Sequence, residues 1–169
     1  NPSQNMSNLP VETLEARYPI RMTEYAFRDD SGGAGEHRGG LGLVRTYELL
    51  AGDAILQLRA DRTEHPPYGL FGGRPGAPSR NLLTTDGETR ALPGKVTLEM
   101  RGGMTLRHEQ AGGGGYGDPL RRPFAAILRD IADGKLTRQR AAADYALVFN
   151  PAGGIDESAT ATLRAARRA

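Results

Sequence analysis

Apolar and polar residues alternate along much of the first 110 positions, which is the pattern of half-buried β-strands. Over residues 18–27, Tyr18, Ile20 and Met22 alternate with Arg21 and Thr23. The same criteria predict strands over residues 41–50, 54–59, 81–85, 95–100 and 104–107. Residues 51–53 are expected to close a hairpin, and residues 86–87 form a second turn signal.

From Leu120 the spacing of apolar residues becomes helical. The pattern predicts a helix over residues 120–131, with Asp118 as its N-cap, Pro119 in its first turn and Gly134 just past its end. Thr137 and Asp156 are expected to cap two further helices. Between these helices, the apolar run 145–149 is predicted to form a final buried strand, stopped at residues 150–151.

Glycine and proline account for 23 and 11 of the 169 residues, which favours short strands and shaped loops over a helical bundle. The loop 66–78 is predicted to be ordered and to pack its three large apolar side chains against the sheet. The predicted fold class is α+β, a mainly antiparallel sheet or sandwich with two or three short C-terminal helices. We expect a single domain over residues 1–169, with a linker or N-terminal extension (1–17), a mainly β part (18–110) and a glycine loop with helices and a strand (111–169).

The charge balance excludes some classes of partner. A formal net charge of +2 with dispersed arginines does not favour nucleic-acid binding, and no apolar run approaches the ~20 residues that cross a bilayer. The chain has no cysteine, which suits a reducing compartment, so we expect a cytoplasmic protein without membrane association. It begins with Asn1 and not with methionine, as expected of a fragment of a longer chain or of a trimmed one.

Residues 112–117 read Gly-Gly-Gly-Gly-Tyr-Gly and are the most distinctive stretch of the chain. Glycine loses more backbone freedom on folding than any other residue, so this run is expected where a Cβ has no room. Its N–H groups, together with the predicted helix start, could hold an anion. The alternative is a tight structural connection that lets strand backbone pass close to a helix, and it is favoured because the Lys-Ser/Thr ending of a phosphate-binding loop is absent.

Cationic side chains recur beside flexible backbone and make candidate ligands for a carboxylate or phosphate. The candidate substrate- or anion-binding residues are His37, Arg38, Arg62, His65, Gly113, Gly114, Gly115 and Tyr116. Alternatively, Arg38 and Arg62 pair with acidic neighbours along the chain and only fix the loops. The histidines lack a metal-ligand spacing, so no metal site is expected, and no catalytic residue is assigned.

Four ordered blocks of sequence give the chain a resemblance to a known family. The blocks are residues 8–15 (NLPVETLE), residues 30–42 (DSGGAGEHRGGLG), Asp61-Arg62 with residues 66–73 (PPYGLFGG), and residues 112–119 with the later Asp130, Gly134, Ala141 and Tyr145. In this order they resemble the C-terminal part of the hydantoinase B/oxoprolinase family, the B-type subunit of N-methylhydantoinase-like enzymes.

The resemblance implies a role in an ATP-dependent hydrolase that opens a cyclic amide such as a hydantoin or 5-oxoproline. ATP would be bound by an A-type partner subunit, and any metal site would lie in an upstream part of the B-type subunit. Residues 1–169 would therefore be inactive alone. The alternatives are a non-catalytic assembly module, part of a related ATP-dependent ketone carboxylase, and a small carbohydrate- or anion-binding β domain.

Overall fold

The computed structural model describes residues 8–168. It is an α+β fold of antiparallel sheets with four α-helices, three of them C-terminal, as predicted. The strands are β1 (Ile20–Phe27), β2 (Leu43–Leu49), β3 (Asp53–Arg59), β4 (Arg80–Thr85), β5 (Glu88–Ala91), β6 (Lys95–Arg101) and β7 (Thr105–Glu109). The helices are α1 (Val11–Arg17), α2 (Phe124–Ala132), α3 (Arg138–Tyr145) and α4 (Glu157–Arg168), with a 3₁₀ helix at Pro119–Arg121.

The chain forms two compact units, each built from several segments. Unit 1 contains the described residues up to Ala26, Val44–Ala60 and Arg80–His108, and unit 2 contains Phe27–Leu43, Asp61–Ser79 and the residues from Glu109 onward. The predicted extension over residues 1–17 lies partly outside the described residues, and its second half is helix α1. A single C-terminal domain over the whole chain stays a prediction.

Unit 1 is the β part of the molecule. Its larger sheet has the strand order β1-β2-β7-β4-β5, and β3 pairs with β6 in a separate two-stranded sheet. Its core consists of Leu49, Leu58, Leu83, Leu92, Met100 and Leu106, all at most 8% exposed. The strands predicted from the alternation of apolar and polar residues are present, and their apolar positions face this core.

The predicted hairpin at residues 51–53 is wrong. Strand β2 joins the five-stranded sheet, whereas β3 pairs antiparallel with β6, Asp53 lying opposite Arg101 and Arg59 opposite Lys95. A tight turn brings two strands close, but the partner of each strand is set by long-range packing. The turn at residues 86–87 does close a hairpin, because Thr85 pairs with Glu88 across two residues of positive φ.

Unit 2 contains the loops and the C-terminal helices. Thr137 caps α3 by accepting a hydrogen bond from the Arg140 N–H (3.2 Å), and Asp156 caps α4 through the Ala159 N–H (2.9 Å), both as predicted. Gly134 follows α2 with φ 68°, as expected of a residue that ends a helix. The core of this unit comprises Ala34, Ile127, Leu136, Ala141, Tyr145 and Leu147.

Two predictions for this unit are wrong. The helix expected over 120–131 is divided: Asp118 caps only the 3₁₀ helix, and α2 begins after Pro123, whose ring disfavours helical geometry at Arg122 (ψ 129°). The buried strand expected over 145–149 does not form, because Tyr145 ends α3 and Ala146 has a left-handed φ of 50°. Only an isolated bridge, between Phe149 and Ile155, is present there.

Candidate functional site

Three extended glycine-rich segments of unit 2, residues 31–40, 66–77 and 111–117, hydrogen-bond to one another through their backbones. We call them the glycine lattice. The N–H of Gly33 donates to the Gly113 carbonyl and the N–H of Gly113 to that of Gly40, at 2.9 and 2.8 Å. The third segment joins through Arg74, whose carbonyl accepts from the Gly115 N–H at 2.9 Å. Residues far apart in the sequence thus form one hydrogen-bonded backbone layer.

The lattice explains why the sequence keeps consecutive glycines. A Cβ built on Gly112 would overlap the carbonyl oxygen of Ser31, and one on Gly114 would overlap that of Tyr68. Both positions require the backbone of another segment to approach where a side chain would stand. The expectation that this run lies where a Cβ has no room is confirmed.

The amide groups of the run are mostly used inside the protein. The N–H groups of residues 112, 113, 115, 116 and 117 donate to the carbonyls of Ala77, Gly40, Arg74, His37 and Leu70. The predicted helix dipole beside them is reduced to the three-residue 3₁₀ helix. A structural connection is therefore the better description of these amides, and anion binding by Gly113, Gly114 and Gly115 stays a prediction.

The lattice holds a group of aromatic rings together. His37 and Tyr116 form an antiparallel bridge, and their ring centroids are 6.1 Å apart. The Phe71 ring lies 5.1 Å from that of Tyr116, and Leu70 forms a parallel bridge with Tyr116. The structure therefore brings the predicted residues His37 and Tyr116 together and adds Phe71, which the sequence analysis did not single out as a site residue.

A cleft of about 530 Å³ lies beside these rings. It is lined by Glu36, Phe71, Tyr116, Gly117, Asp118 and Arg121. Its volume is within the range of small-molecule sites, and its wall combines aromatic surface with two carboxylates and one guanidinium. The carboxylate of Asp118 accepts a hydrogen bond from the Leu120 N–H at 2.8 Å, which fixes one side of the opening.

Arg38 is held by a buried ion-pair network. Its Nε lies 3.0 Å from the carboxylate of Asp130, and Arg122 contacts the same carboxylate at 2.7 Å. Burial opposes ionisation of Asp130, but the hydrogen bonds and charges of Arg38 and Arg122 outweigh it and lower the pKa of that carboxyl group below its ordinary value. Arg38 thus pairs with a partner distant in the sequence, and its predicted anion-binding role stays a prediction.

Arg62 and His65 do not line this cleft, and both side chains are exposed. Arg62 has a left-handed φ of 66°, and its carbonyl accepts a hydrogen bond from the Ser79 N–H at 2.9 Å. The expectation that loop 66–78 packs its large apolar side chains is wrong, since Tyr68 and Phe71 are 72% and 78% exposed. Glu36 and Arg121 were missed because isolated charged residues carry no local signal of a cleft.

Two absences can be stated for residues 8–168. Within that range no group of three or more His, Asp or Glu side chains could hold a metal ion. No helix in the same range has the length and apolar character needed to span a membrane.

Comparisons with known proteins agree with the resemblance. The family model described as hydantoinase B/oxoprolinase matches residues 1–119. The chain is 32% identical to a putative D-/L-hydantoinase of the B type from a Pseudomonas species over 95% of its length, and 35% identical to the beta chain of the caprolactamase of Pseudomonas jessenii over 92%. These matches cover 27% and 28% of the relatives, so the chain spans about a quarter of their length.

Solved structures give the same result. The ATP-dependent caprolactamase of Pseudomonas jessenii superposes with a TM-score of 0.82 at 33% identity, over 92% of this chain and 28% of that one. An acetone carboxylase in its nucleotide-free form has a TM-score of 0.80 at 24% identity, over 96% of this chain and 26% of that one, which shows a shared fold. From the matched residues and the fold together, the chain belongs to the hydantoinase B/oxoprolinase family.

Proposed function

We propose that this chain is the C-terminal portion of the B-type subunit of an ATP-dependent hydrolase of cyclic amides. The observation that carries the proposal is the similarity to caprolactamase over 92% of the chain, with a TM-score of 0.82. A second relative has a hydantoinase name, and further matches are 5-oxoprolinases, such as that of Arabidopsis thaliana at 38% identity over 64% of this chain. All of these names share the hydrolysis of a cyclic amide.

In this proposal the chain supplies one wall of a site that other segments complete. The glycine lattice fixes the backbone of Glu36 and Gly117, and the 3₁₀ helix fixes that of Asp118, so the cleft is preorganised. The carboxylates of Glu36 and Asp118 can accept a hydrogen bond from an amide N–H, and the Arg121 guanidinium can donate to an oxyanion. One wall without the others cannot exclude water, so residues 1–169 alone are inactive.

ATP would supply the phosphoryl group that activates the amide carbonyl. The 112–117 run does not fit its phosphates, because five of its amides already donate to backbone carbonyls. We therefore assign ATP to an A-type partner subunit and any metal to an upstream part of the B-type subunit. The small substrate would be a hydantoin, 5-oxoproline or a related lactam, in a cytoplasmic enzyme.

The test is reconstitution. The full-length B-type subunit that contains this chain is combined with its A-type subunit, and ATP-dependent ring opening of hydantoin, 5-oxoproline and caprolactam is measured. The same subunit lacking residues 1–169 is the control and should be inactive. Equal activity with and without this chain would contradict the proposal, and bicarbonate-dependent consumption of a ketone in place of ring opening would support the carboxylase alternative.

A second candidate function is a non-catalytic assembly module. It is favoured by the internal use of the glycine-loop amides, which suits packing better than ligand binding. Substituting Gly114 by alanine should distinguish the two functions, because a Cβ there would overlap the Tyr68 carbonyl and disturb the lattice. Loss of subunit assembly with unchanged turnover per assembled complex would indicate a scaffold.

A further inference from the structure

Four large apolar side chains on two neighbouring segments of the glycine lattice are exposed. Tyr68, Leu70, Phe71 and Tyr116 are 72%, 50%, 78% and 49% exposed, and we call them the aromatic patch. Phe71 packs on Tyr116 at 5.1 Å, and Leu70 bridges Tyr116 through the backbone. Exposed apolar residues that occur singly need no explanation, but a group of them commonly marks an interaction surface.

The backbone under the aromatic patch is firmly held. Leu70 donates its N–H to the Gly115 carbonyl, and its own carbonyl accepts from the N–H groups of Gly73 and Gly117, each at 2.9 Å. A partner that binds such a surface loses little conformational entropy in ordering it, which favours affinity. Tyr and Phe are also side chains with a large area and few rotatable bonds, as in the centres of protein interfaces.

Phe71 adds backbone strain to this exposure. Its φ is 51°, a left-handed conformation that is unfavourable for a bulky L-residue. Within the described residues the ring gains little burial in return, since it is 78% exposed. A strained residue persists where the surrounding structure imposes it, and such residues concentrate at functional surfaces.

We propose that the aromatic patch is the surface on which the remaining part of the B-type subunit docks. The inference rests on the proposed function. The relatives are about four times as long as the matched region, so most of such a subunit lies outside this chain and is available to cover the patch. All four patch residues lie within the 1–119 range of the family match. The polar rim of Glu36, Asp118 and Arg121 gives the surface an apolar centre with charged edges.

Docking on the aromatic patch would also close the neighbouring cleft. Phe71 and Tyr116 belong to both features, so a segment that covers the two rings would lie over one side of the opening. The carboxylates and the guanidinium would remain on the inner side. The patch would thereby connect subunit folding to completion of the substrate site.

The absence of cysteine allows a direct test by thiol labelling. Phe71→Cys and Tyr68→Cys are prepared in the 169-residue chain and in the full-length B-type subunit, and the labelling rate at each position is read by peptide mass mapping. Glu88→Cys, on the exposed strand β5 of unit 1, is the matched control. Circular dichroism of each variant establishes that it is folded.

The expected result is that Phe71→Cys and Tyr68→Cys label at least about tenfold more slowly in the full-length subunit than in the 169-residue chain, while Glu88→Cys changes by less than about twofold. Equal rates at Phe71→Cys in the two proteins would overturn the proposal. Protection that appears only after addition of the A-type subunit, or that rises with the concentration of the 169-residue chain alone, would also overturn it in favour of another occupant.

Labelling uses neither ATP nor substrate, so it separates the two proposals. A full-length subunit that protects Phe71→Cys but opens no cyclic amide with its A-type partner would contradict the proposed function and retain the docking surface. An active subunit with a fully reactive Phe71→Cys would retain the function and reject the docking surface.

Discussion

His37 and Tyr116 exchange both of their backbone hydrogen bonds, with an N···O distance of 2.9 Å in each direction. The two residues are far apart in the sequence, and this bridge fixes a histidine and a tyrosine ring beside the cleft. Because backbone groups make the link, the pairing itself does not depend on either side chain. The display of these rings therefore depends on the integrity of the glycine lattice.

Gly114→Ala should destabilise the chain strongly. The new Cβ would stand less than 3.0 Å from the Tyr68 carbonyl oxygen, and backbone cannot give way as a flexible side chain can. We expect a loss of about 3 kcal/mol in the free energy of unfolding, the upper part of the usual range for overpacking. Urea titration followed by circular dichroism measures it.

Gly40→Ala is the matched control, because a Cβ there would meet nothing within 4 Å. It should be neutral or stabilise the chain by up to about 1 kcal/mol, since alanine restricts the unfolded state. Equal stabilities of the two variants would contradict the close approach on which the lattice depends.

Substitutions at Phe71 should reveal its backbone strain. Phe71→Gly is expected to be more stable than Phe71→Ala by about 1 kcal/mol, because glycine adopts a φ of 51° without the Cβ clash. The comparison of two small residues removes most of the effect of losing the ring. The measurement is the difference in the urea midpoint between the two variants.

Tyr68 is the control position, since it is exposed like Phe71 but is not among the residues of positive φ. There the usual order should hold, with the alanine variant more stable than the glycine variant. If Phe71→Ala is more stable than Phe71→Gly, the left-handed conformation of Phe71 carries no strain.

Local signals in the sequence were sufficient for much of the fold. The caps at Thr137 and Asp156 and the end of α2 at Gly134 were predicted, because each is decided by side-chain and backbone chemistry within a few residues. The division of the helix at Pro123 could also have been predicted, since proline at that position disfavours helical geometry in the residue before it.

Long-range pairing was not accessible in the same way. The partner of β3 is β6 and the partner of Arg38 is Asp130, and no local pattern identifies either. The apolar run from Tyr145 to Phe149 is as compatible with a buried helix end as with a strand, so its length could not decide between them. The cleft depends on three separate segments, and of its lining residues only Tyr116 was among the site residues predicted from the sequence.

His108 should titrate below the ordinary histidine range. Burial disfavours its charged form and the nearby Arg45 charge adds to this, so the pKa of His108 is lowered from 6.5. Nδ1 of the ring also lies 2.7 Å from Oδ1 of Asn81. Proton NMR of the imidazole across pH 4 to 8 measures the pKa directly.

Arg45→Gln removes the neighbouring charge and should raise the pKa of His108. The pKa should stay below 6.5, because burial of the ring is the larger cause of its lowering. The unfolded chain binds a proton near pH 6.5 and the folded one only at lower pH, so His108 should reduce stability as the pH falls below about 6.5. A His108 pKa at or above 6.5 would contradict this prediction.

Asp130→Asn should remove a pH-dependent contribution to stability. The pKa of Asp130 is lowered in the folded state by Arg38 and Arg122, so the carboxylate stabilises the fold above its unfolded pKa of about 3.9, and that stabilisation is lost as the pH falls through the folded value. With all three side chains largely buried, the variant should lose about 3 kcal/mol at pH 7, because two guanidinium groups remain without their anion. Its free energy of unfolding should also fall less steeply below pH 4 than that of the parent chain.

Asp133→Asn is the matched control. Within the described structure that carboxylate is 43% exposed and pairs only with the exposed Lys135. Its loss should therefore change stability by less than about 1 kcal/mol. Parallel pH profiles for Asp130→Asn and the parent would show that the network does not hold this carboxylate in its charged form.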